Sequence, residues 1–129
     1  DKYEEALEYY LLAYEEDKEE ILLLSDIGWL YNELDRYEEA LEFLLEAEKL
    51  GRDDSWINAE IGQCLGRLEK YDEGIERLKK ALELLEKDKR RNNTGEKIFI
   101  NSEIGWLIGR KDDSNAEEAL YYLNAAKAL

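Results

Sequence analysis

The amino-acid sequence predicts an all-α fold built from repeated antiparallel helix pairs, an alpha-alpha superhelix. Three observations predict this class. Residues recur at a fixed offset of 34 positions, and apolar residues recur at three- and four-residue steps. The composition is rich in Leu, Glu, Ala and Lys and contains no proline, which favours helix. A period of this length indicates stacked units, none of which buries its own apolar face alone.

The repeat is visible as matching residues at equal spacing. Gly28 returns 34 residues later as Gly62, in a similar context. Five residues at the start of the chain lie 34 positions before their counterparts: Tyr3, Ala6, Leu7, Tyr10 and Ala13 before Tyr37, Ala40, Leu41, Leu44 and Ala47. A third copy is stretched, because Gly105 follows Gly62 by 43 residues and residues 85–97 contain about nine extra positions. Its second half places Ala119, Leu120, Leu123 and Ala126 in the roles of Gly74, Ile75, Leu78 and Ala81.

These copies divide the chain, which we predict to be one domain over residues 1–129. Residues 1–18 form the trailing second helix of a preceding unit, and 19–52 form a complete unit. Residues 53–93 form a unit with an extended second helix and a basic insertion, and 94–129 form the last unit. The apolar spacing places helices near residues 2–15, 19–33, 37–50, 55–68, 71–90, 95–110 and 115–128. Because the pattern is under way at both ends, we expect a fragment of a longer array.

Glycine recurs in the middle of the first predicted helix of each unit. Gly28, Gly62 and Gly105 each cost about 1 kcal/mol relative to alanine at such a position. Their recurrence at one place in every unit indicates a steric reason. We therefore predict that the second helix crosses there and leaves no room for a Cβ atom. The matching small residues on the second helices are Ala40, Gly74 and Ala119.

The charge is strongly acidic and unevenly distributed. The net charge is −15, and residues 1–50 carry 17 acids and 4 bases, whereas residues 87–97 carry 5 bases and 2 acids. Nucleic-acid binding is disfavoured, because phosphate contacts need clustered Lys and Arg. The acids fall on the polar sides of helices, so we interpret them as a solvated outer face rather than as a site for a basic partner.

Neither catalysis, a metal site nor a cofactor is predicted. Cys64 is the single cysteine and the chain has no histidine, so a nucleophile or metal ligand would have no partner, and we expect a small buried residue. No Gly-rich phosphate loop, membrane span or signal peptide is present in the sequence. A lone cysteine favours a reducing compartment, and we expect a bacterial cytoplasmic protein without membrane contact.

The pattern resembles the tetratricopeptide repeat (TPR). The resemblance rests on the 34-residue period and on Gly28, Tyr37, Ala40 and Ala47, and it covers essentially the whole chain. Two features depart from the family: the proline usual between units is missing, and Leu24, Asn58 and Asn101 stand where an early tryptophan is usual. The resemblance implies that the first helices line a concave groove that holds an extended peptide or a partner's helix.

The groove residues can then be read from the first helices. The candidates for partner binding are Trp29, Asn32, Glu33, Trp56, Gln63, Arg67, Phe99, Trp106 and Arg110. In one hypothesis the tryptophans hold apolar or Pro-rich side chains while Arg67 and Arg110 meet an acidic group or a terminal carboxylate. In the other, each tryptophan packs on the helix of a neighbouring unit. Binding of chaperone C-terminal tails is not expected, because Ser25 and Trp29 stand where that clamp uses Lys and Asn.

The basic insertion has two interpretations. If the second helix of the middle unit runs through Lys89, it would project beyond the stack and carry Lys87, Lys89, Arg90 and Arg91. This projection would be either a docking element for an acidic surface or a solvated helix end whose cations suit the helix dipole, and we favour the second.

We predict a non-catalytic protein–protein interaction module that binds a protein or peptide through its groove. One alternative is a structural spacer or a self-association module that forms a homo-oligomer, in which the acidic half and the basic insertion of different copies pair. Loss of assembly at high salt would favour that alternative. The other alternative is a regulatory segment of a larger multidomain protein.

Overall fold

The computed structural model describes residues 1–89, 92–111 and 115–129. These residues form seven α-helices and no strand: α1 (Lys2–Glu16), α2 (Ile21–Glu33), α3 (Tyr37–Lys49), α4 (Ser55–Arg67), α5 (Tyr71–Lys87), α6 (Thr94–Lys111) and α7 (Ala116–Lys127). The predicted all-α helical-repeat class is confirmed. None of the described helices is both long and apolar enough to cross a membrane.

Helix boundaries differ from the prediction mainly after the middle unit. α5 ends at Lys87 and not at residue 90, so the expectation that it runs through Lys89 is wrong. The chain leaves the helix because Asp88 is extended and the Asn93 amide Nδ2 donates to the Leu85 carbonyl at 2.7 Å. As predicted, α5 is longer than the second helix of the preceding pair, with 17 residues against 13 in α3. Arg90 and Arg91, which the docking interpretation needed, lie outside the described residues.

The helices group into two compact units, residues 1–53 and residues 54–129. In the N-terminal unit α2 packs against both α1 and α3. The core of this unit consists of Leu7, Leu24, Ile27, Leu30, Tyr31, Ala40, Leu44 and Ala47. In the C-terminal unit α4 packs on α5 and α6 packs on α5 and α7. Its core includes Ile61, Leu78, Ala81, Leu85, Ile100, Ile104 and Leu107. Apolar residues at three- and four-residue steps therefore bury one stripe of each helix.

The mid-helix glycines lie where paired helices cross. A Cβ atom added to Gly28 would come within 2.6 Å of the Leu44 side chain. One added to Gly62 would come within 2.8 Å of Leu78, and one added to Gly105 within 2.8 Å of Leu123. The carbonyl oxygens of the predicted small residues also lie within 3.3 Å in each pair: Ala40, Gly74 and Ala119. The predicted crossing without room for a Cβ is confirmed.

The turns inside the first two helix pairs are alike. Asp35 and Glu69, 34 residues apart, both have left-handed backbone, with φ of 58° and 65°. The amide that follows each of them donates to a helix carbonyl five positions back at 2.9 Å. This pattern ends a helix in a Schellman motif, where glycine is usual. Gly51, with φ of 123°, ends the helix before the next pair, and the Asp54 carboxylate then caps α4 by accepting from the Ile57 amide at 2.9 Å.

Candidate functional site

The candidate site of the C-terminal unit lies on its two first helices. α4 contacts α6 directly, so one stripe of each helix faces a shared surface. Six of the nine predicted binding residues belong to these helices: Trp56, Gln63 and Arg67 on α4, and Phe99, Trp106 and Arg110 on α6.

An ion pair joins the C-terminal end of α4 to the middle of α6. The Arg67 guanidinium donates through Nη1 to Glu103 Oε2 at 3.1 Å and through Nη2 to Oε1 at 2.9 Å. The two side chains are 25% and 13% exposed, so water screens the pair less than it screens a surface pair. The Arg67 guanidinium also lies 4.6 Å from the centre of the Trp106 ring. Glu103 and Trp106 together hold Arg67 in one position.

Trp106 is the aromatic centre of this arrangement. Its side chain is 43% exposed, and a second guanidinium, that of Arg110, lies 5.0 Å from the ring centre. Arginine over an indole face is a favourable cation–π geometry. The exposed Arg110 keeps its charge available to an acidic group, while Trp106 offers apolar surface beside it. We call Arg67, Glu103, Trp106 and Arg110 the tryptophan cluster.

The other predicted residues of the C-terminal unit are less closely engaged with this cluster. Trp56 lies in the first turn of α4 and is partly buried, as is Gln63 two turns later. Phe99 lies in the second turn of α6 and is exposed. These residues extend the shared surface towards the N-terminal ends of both helices.

In the N-terminal unit Trp29 packs against the neighbouring second helix. Its ring meets Tyr3 of α1 edge to face, with ring centres 5.6 Å apart. This contact is the kind that the packing alternative describes, and binding of a partner by Trp29 stays a prediction. Trp29 also lines an open cavity of about 320 Å³ together with Asp26 and residues of α1. We call this cavity the Trp29 cavity, and its lining is Lys2, Tyr3, Ala6, Tyr10, Asp26, Trp29 and Leu30.

The two remaining candidates of this unit differ in exposure. Asn32 is only 7% exposed and makes contacts within the protein, so it offers a partner little surface. Glu33, the next residue, is exposed at the end of α2. That the stripes of the two units form one groove stays a prediction.

Desolvation is the largest cause of two raised side-chain pKa values in the N-terminal unit, those of Asp26 and Tyr31. Partial desolvation raises the pKa of the Asp26 carboxyl group, and the positive charge of Arg52 offsets part of this rise. Burial also raises the pKa of Tyr31, against the lowering effect of Arg36, whose guanidinium lies 4.8 Å from the ring centre. A carboxylate with a raised pKa is one whose charged form is under-stabilised, so Asp26 would gain from a closer cation.

Among the described residues, no group of three or more Asp, Glu or Cys side chains lies close enough together to hold a metal ion. Cys64 is fully buried in α4, as expected for a small core residue.

Solved structures resemble this chain over almost its whole length. A structure of MamA from residue 41 to its end, from Desulfovibrio magneticus RS-1, has a TM-score of 0.82 at 19% identity and covers 99% of this chain and 66% of that one. A second MamA structure, MSR-1 C2, has a TM-score of 0.78 at 19% identity and covers 98% of this chain and 67% of that one. YrrB, described as a TPR protein with an unusual peptide-binding site, has a TM-score of 0.66 at 22% identity and covers 98% of this chain and 69% of that one. The chain thus spans about two thirds of each of these proteins.

The chain has a TPR-like fold. No family model and no curated protein matches the sequence. At these identities the likeness shows the fold alone.

Within this TPR-like fold, sequence reasoning missed Glu103. A signal was available, since Glu103 stands two residues before Gly105, on a helix turn shared with Trp106. Arg67 is the basic residue at the end of the preceding first helix. Opposite charges on consecutive first helices predict a pair only if the register between those helices is known. Sequence spacing alone does not fix that register across an insertion of about nine residues.

Proposed function

We propose that this chain is a non-catalytic interaction module that binds a peptide or partner protein through its first helices. The observation that carries the proposal is the tryptophan cluster on α4 and α6. Tryptophan and arginine are enriched among the residues that anchor partners, and a half-exposed tryptophan flanked by two guanidinium groups is such an anchor. The printed description of YrrB, a structural neighbour with a peptide-binding site, supports the same class of function.

The cluster assigns different roles to its two arginines. Arg67 is already paired with Glu103 at two points, so binding a ligand carboxylate through Arg67 would require displacing Glu103. Arg110 is exposed and lies against the same ring. The proposed ligand therefore places an apolar side chain on Trp106 and an acidic group, such as a carboxylate, against Arg110.

Other partner classes fit less well. The net charge of −15 opposes binding of nucleic acid, and the proposed ligand is a protein segment rather than a lipid surface. We place the protein in a reducing, cytoplasmic setting on the strength of its single buried cysteine. No cofactor is part of the proposal.

The test is affinity capture from a lysate, followed by mass spectrometry, with peptide fragments of each captured protein then titrated directly. Trp106→Ala and Arg110→Ala should each weaken binding of the identified segment by about tenfold or more, as expected for an interface anchor. Tyr121→Ala and Lys87→Ala, an exposed aromatic residue and an exposed base on other helices, are the matched controls and should bind as wild type. Equal binding by all four variants would reject the tryptophan cluster as the site. If the molecular mass of the purified protein in solution rises with protein concentration and no ligand is captured, the self-association alternative is favoured.

A further inference from the structure

The C-terminal ends of α4 and α6 carry three cationic side chains, and two of them are paired within the protein. The Arg67 guanidinium donates two hydrogen bonds to the Glu103 carboxylate, and Lys111 forms an ion pair with Asp72 of α5. Arg110 is exposed, and among the described residues no carboxylate lies within ion-pair distance of it. The tryptophan cluster therefore offers one uncompensated positive charge, 5.0 Å from the centre of its aromatic ring.

The Glu103 carboxylate keeps Arg67 from a ligand. The two side chains are 13% and 25% exposed, so a ligand carboxylate reaches this guanidinium only by displacing Glu103. Displacement would leave a largely buried carboxylate without the partner that compensates its desolvation, which is costly. If Glu103 stays in place, an acidic group of the ligand next to it meets a like charge, which is also unfavourable. In both cases the tryptophan cluster disfavours a second acidic group.

The charge of the whole chain acts in the same direction. The net charge is −15, so each acid added to a ligand increases the long-range repulsion between ligand and protein. A single acid placed at Arg110 gains a local contact with the smallest such penalty. Charge complementarity therefore favours a segment with one acidic group over a segment with several.

A row of exposed side chains on α6 sets the spacing of the ligand. Phe99 and Trp106 are seven positions apart, so they lie on one stripe of the helix, about 10.5 Å apart along its axis. They are 41% and 43% exposed. Arg110 follows one turn later, about 6 Å further along the same stripe. A ligand that uses the whole row presents two apolar side chains followed by an acid.

These distances select the conformation of the ligand. In a polyproline II segment, side chains three residues apart share a face and lie about 9.3 Å apart, close to the spacing of about 10.5 Å on α6. In a β-strand, the side chains of one face lie about 6.8 or 13.6 Å apart, and neither distance matches. A helix, about 10 Å across, buries a broader stripe than this single row offers. The row therefore fits a polyproline II segment best.

We propose that the tryptophan cluster binds a polyproline II segment with two apolar side chains three residues apart and a single acidic group, and that Glu103 excludes a second acidic group. The apolar side chains lie on Phe99 and Trp106, and the acid pairs with Arg110. The inference rests on the proposed function and adds the pattern of the ligand and the residue that limits its charge. Glu103 is thus a specificity-determining residue that acts by occupying Arg67.

The probes are three synthetic peptides with blocked termini, which carry no terminal charge. The one-acid peptide is Leu-Pro-Pro-Leu-Pro-Pro-Glu, and the neutral peptide ends in Gln instead. In the two-acid peptide, Leu-Pro-Glu-Leu-Pro-Pro-Glu, the added acid stands two residues after the first leucine, about 6 Å along the segment. That is the level of Glu103, four positions after Phe99 and also about 6 Å along α6. Each peptide is also made in reversed order, because the same row of side chains can run in either chain direction.

Binding to the whole chain is followed by nuclear magnetic resonance of protein labelled with nitrogen-15. The readout is the indole N–H signal of Trp106, which is assigned by its absence in Trp106→Phe. The wild type should bind the one-acid peptide about tenfold more tightly than the neutral peptide, because a charge-assisted pair is lost in the second case. It should bind the two-acid peptide about fivefold more weakly than the one-acid peptide.

Variants of Glu103 test its role in this preference. In Glu103→Gln, the two-acid peptide should bind at least as tightly as the one-acid peptide, since Arg67 becomes available to the added acid. Adding Arg67→Gln should abolish that gain. Glu103→Asp keeps the carboxylate and should keep the preference for one acid. Glu83→Gln removes the same charge at an exposed position of α5 and should bind all the peptides as the wild type does. Circular dichroism verifies that each variant is folded.

Three results would overturn the inference. They are equal binding of the one-acid and two-acid peptides by the wild type, an unchanged preference in Glu103→Gln, and no binding of any of the peptides at millimolar concentration. The proposed function fails separately. If Trp106→Ala loses a captured protein segment while Glu103→Gln keeps the preference of the wild type, the proposed function stands and the role of Glu103 is rejected. If captured segments and peptides all bind Trp106→Ala and Arg110→Ala as they bind the wild type, both fail.

Discussion

Arg67 and Glu103 form a two-point ion pair that joins the first helices of two consecutive helix pairs, with N–O distances of 3.1 and 2.9 Å. The pair is partly buried and lies against the Trp106 ring. It joins the C-terminal end of α4 to the middle of α6 within the proposed binding surface. Relative to Gly28, the positions that correspond to Glu103 and Trp106 hold Asp26 and Trp29.

Breaking this pair should lower stability measurably. Arg67→Gln and Glu103→Gln are each expected to reduce the free energy of unfolding by about 1–2 kcal/mol, because each leaves a partly buried charge without its partner. The double variant should lose less than the sum of the two, since the pair is one interaction. Urea unfolding followed by circular dichroism measures all three. The exposed pair Lys87–Glu83 is the control, with an expected effect below about 0.5 kcal/mol.

The glycine crossings predict opposite effects of one substitution at two sites in the same unit. Gly62→Ala should lower the free energy of unfolding by about 1–3 kcal/mol, since its Cβ would lie 2.8 Å from Leu78 and 3.0 Å from the Gly74 carbonyl. Gly109→Ala, in α6 with nothing within 4 Å of the added Cβ, should raise it by about 0.5–1 kcal/mol through helix propensity. Chemical denaturation of the two variants and the wild type measures both changes in the free energy of unfolding. A stabilising Gly62→Ala would show that the helices separate at the crossing.

The left-handed turn at Glu69 should be improved by glycine. Glu69→Gly is expected to raise the free energy of unfolding by up to about 1 kcal/mol, because glycine adopts a φ of 65° without a Cβ penalty. Thermal and urea unfolding measure the gain. Glu76→Gly, an exposed position in the middle of α5, is the matched control and should lose about 1 kcal/mol. Loss of stability at both positions would contradict the Schellman geometry of this turn.

Sequence periodicity predicted the helices and their pairing well because both follow from local physics. A glycine at one place in every first helix is sufficient to locate the crossings, which the structure has at Gly28, Gly62 and Gly105. The end of α5 was not predicted, because it depends on a side-chain bond from Asn93 back to Leu85. No pattern of apolar residues encodes such a bond.

The candidate site was predictable in composition but not in geometry. The stripe correctly brought Arg67, Trp106 and Arg110 to one surface. Their spacing could not reveal that Arg67 is held by Glu103, nor that Asn32 is buried. Both facts depend on how one helix is rotated and shifted against another. That relationship comes from packing between helices, which a single helix period does not contain.

The raised pKa of Asp26 predicts a specific dependence of stability on pH. A carboxyl group whose pKa is higher in the folded than in the unfolded state binds more protons when folded, so its contribution to stability falls as pH rises from 3.8 to above the folded pKa. Asp26→Asn removes this loss. The variant should therefore be more stable than wild type at pH 7, and the difference should shrink as the pH is lowered through the folded pKa. The difference between the two unfolding curves isolates Asp26, because the other carboxyl groups are common to both proteins.

Arg52 provides the internal check on this prediction. Its charge lowers the pKa of Asp26, so in an Arg52→Gln background the folded pKa should rise further and the gain from Asp26→Asn at pH 7 should increase. If Asp26→Asn lowered the free energy of unfolding at pH 7, or if its effect did not vary with pH, the prediction from the raised pKa of Asp26 would be wrong.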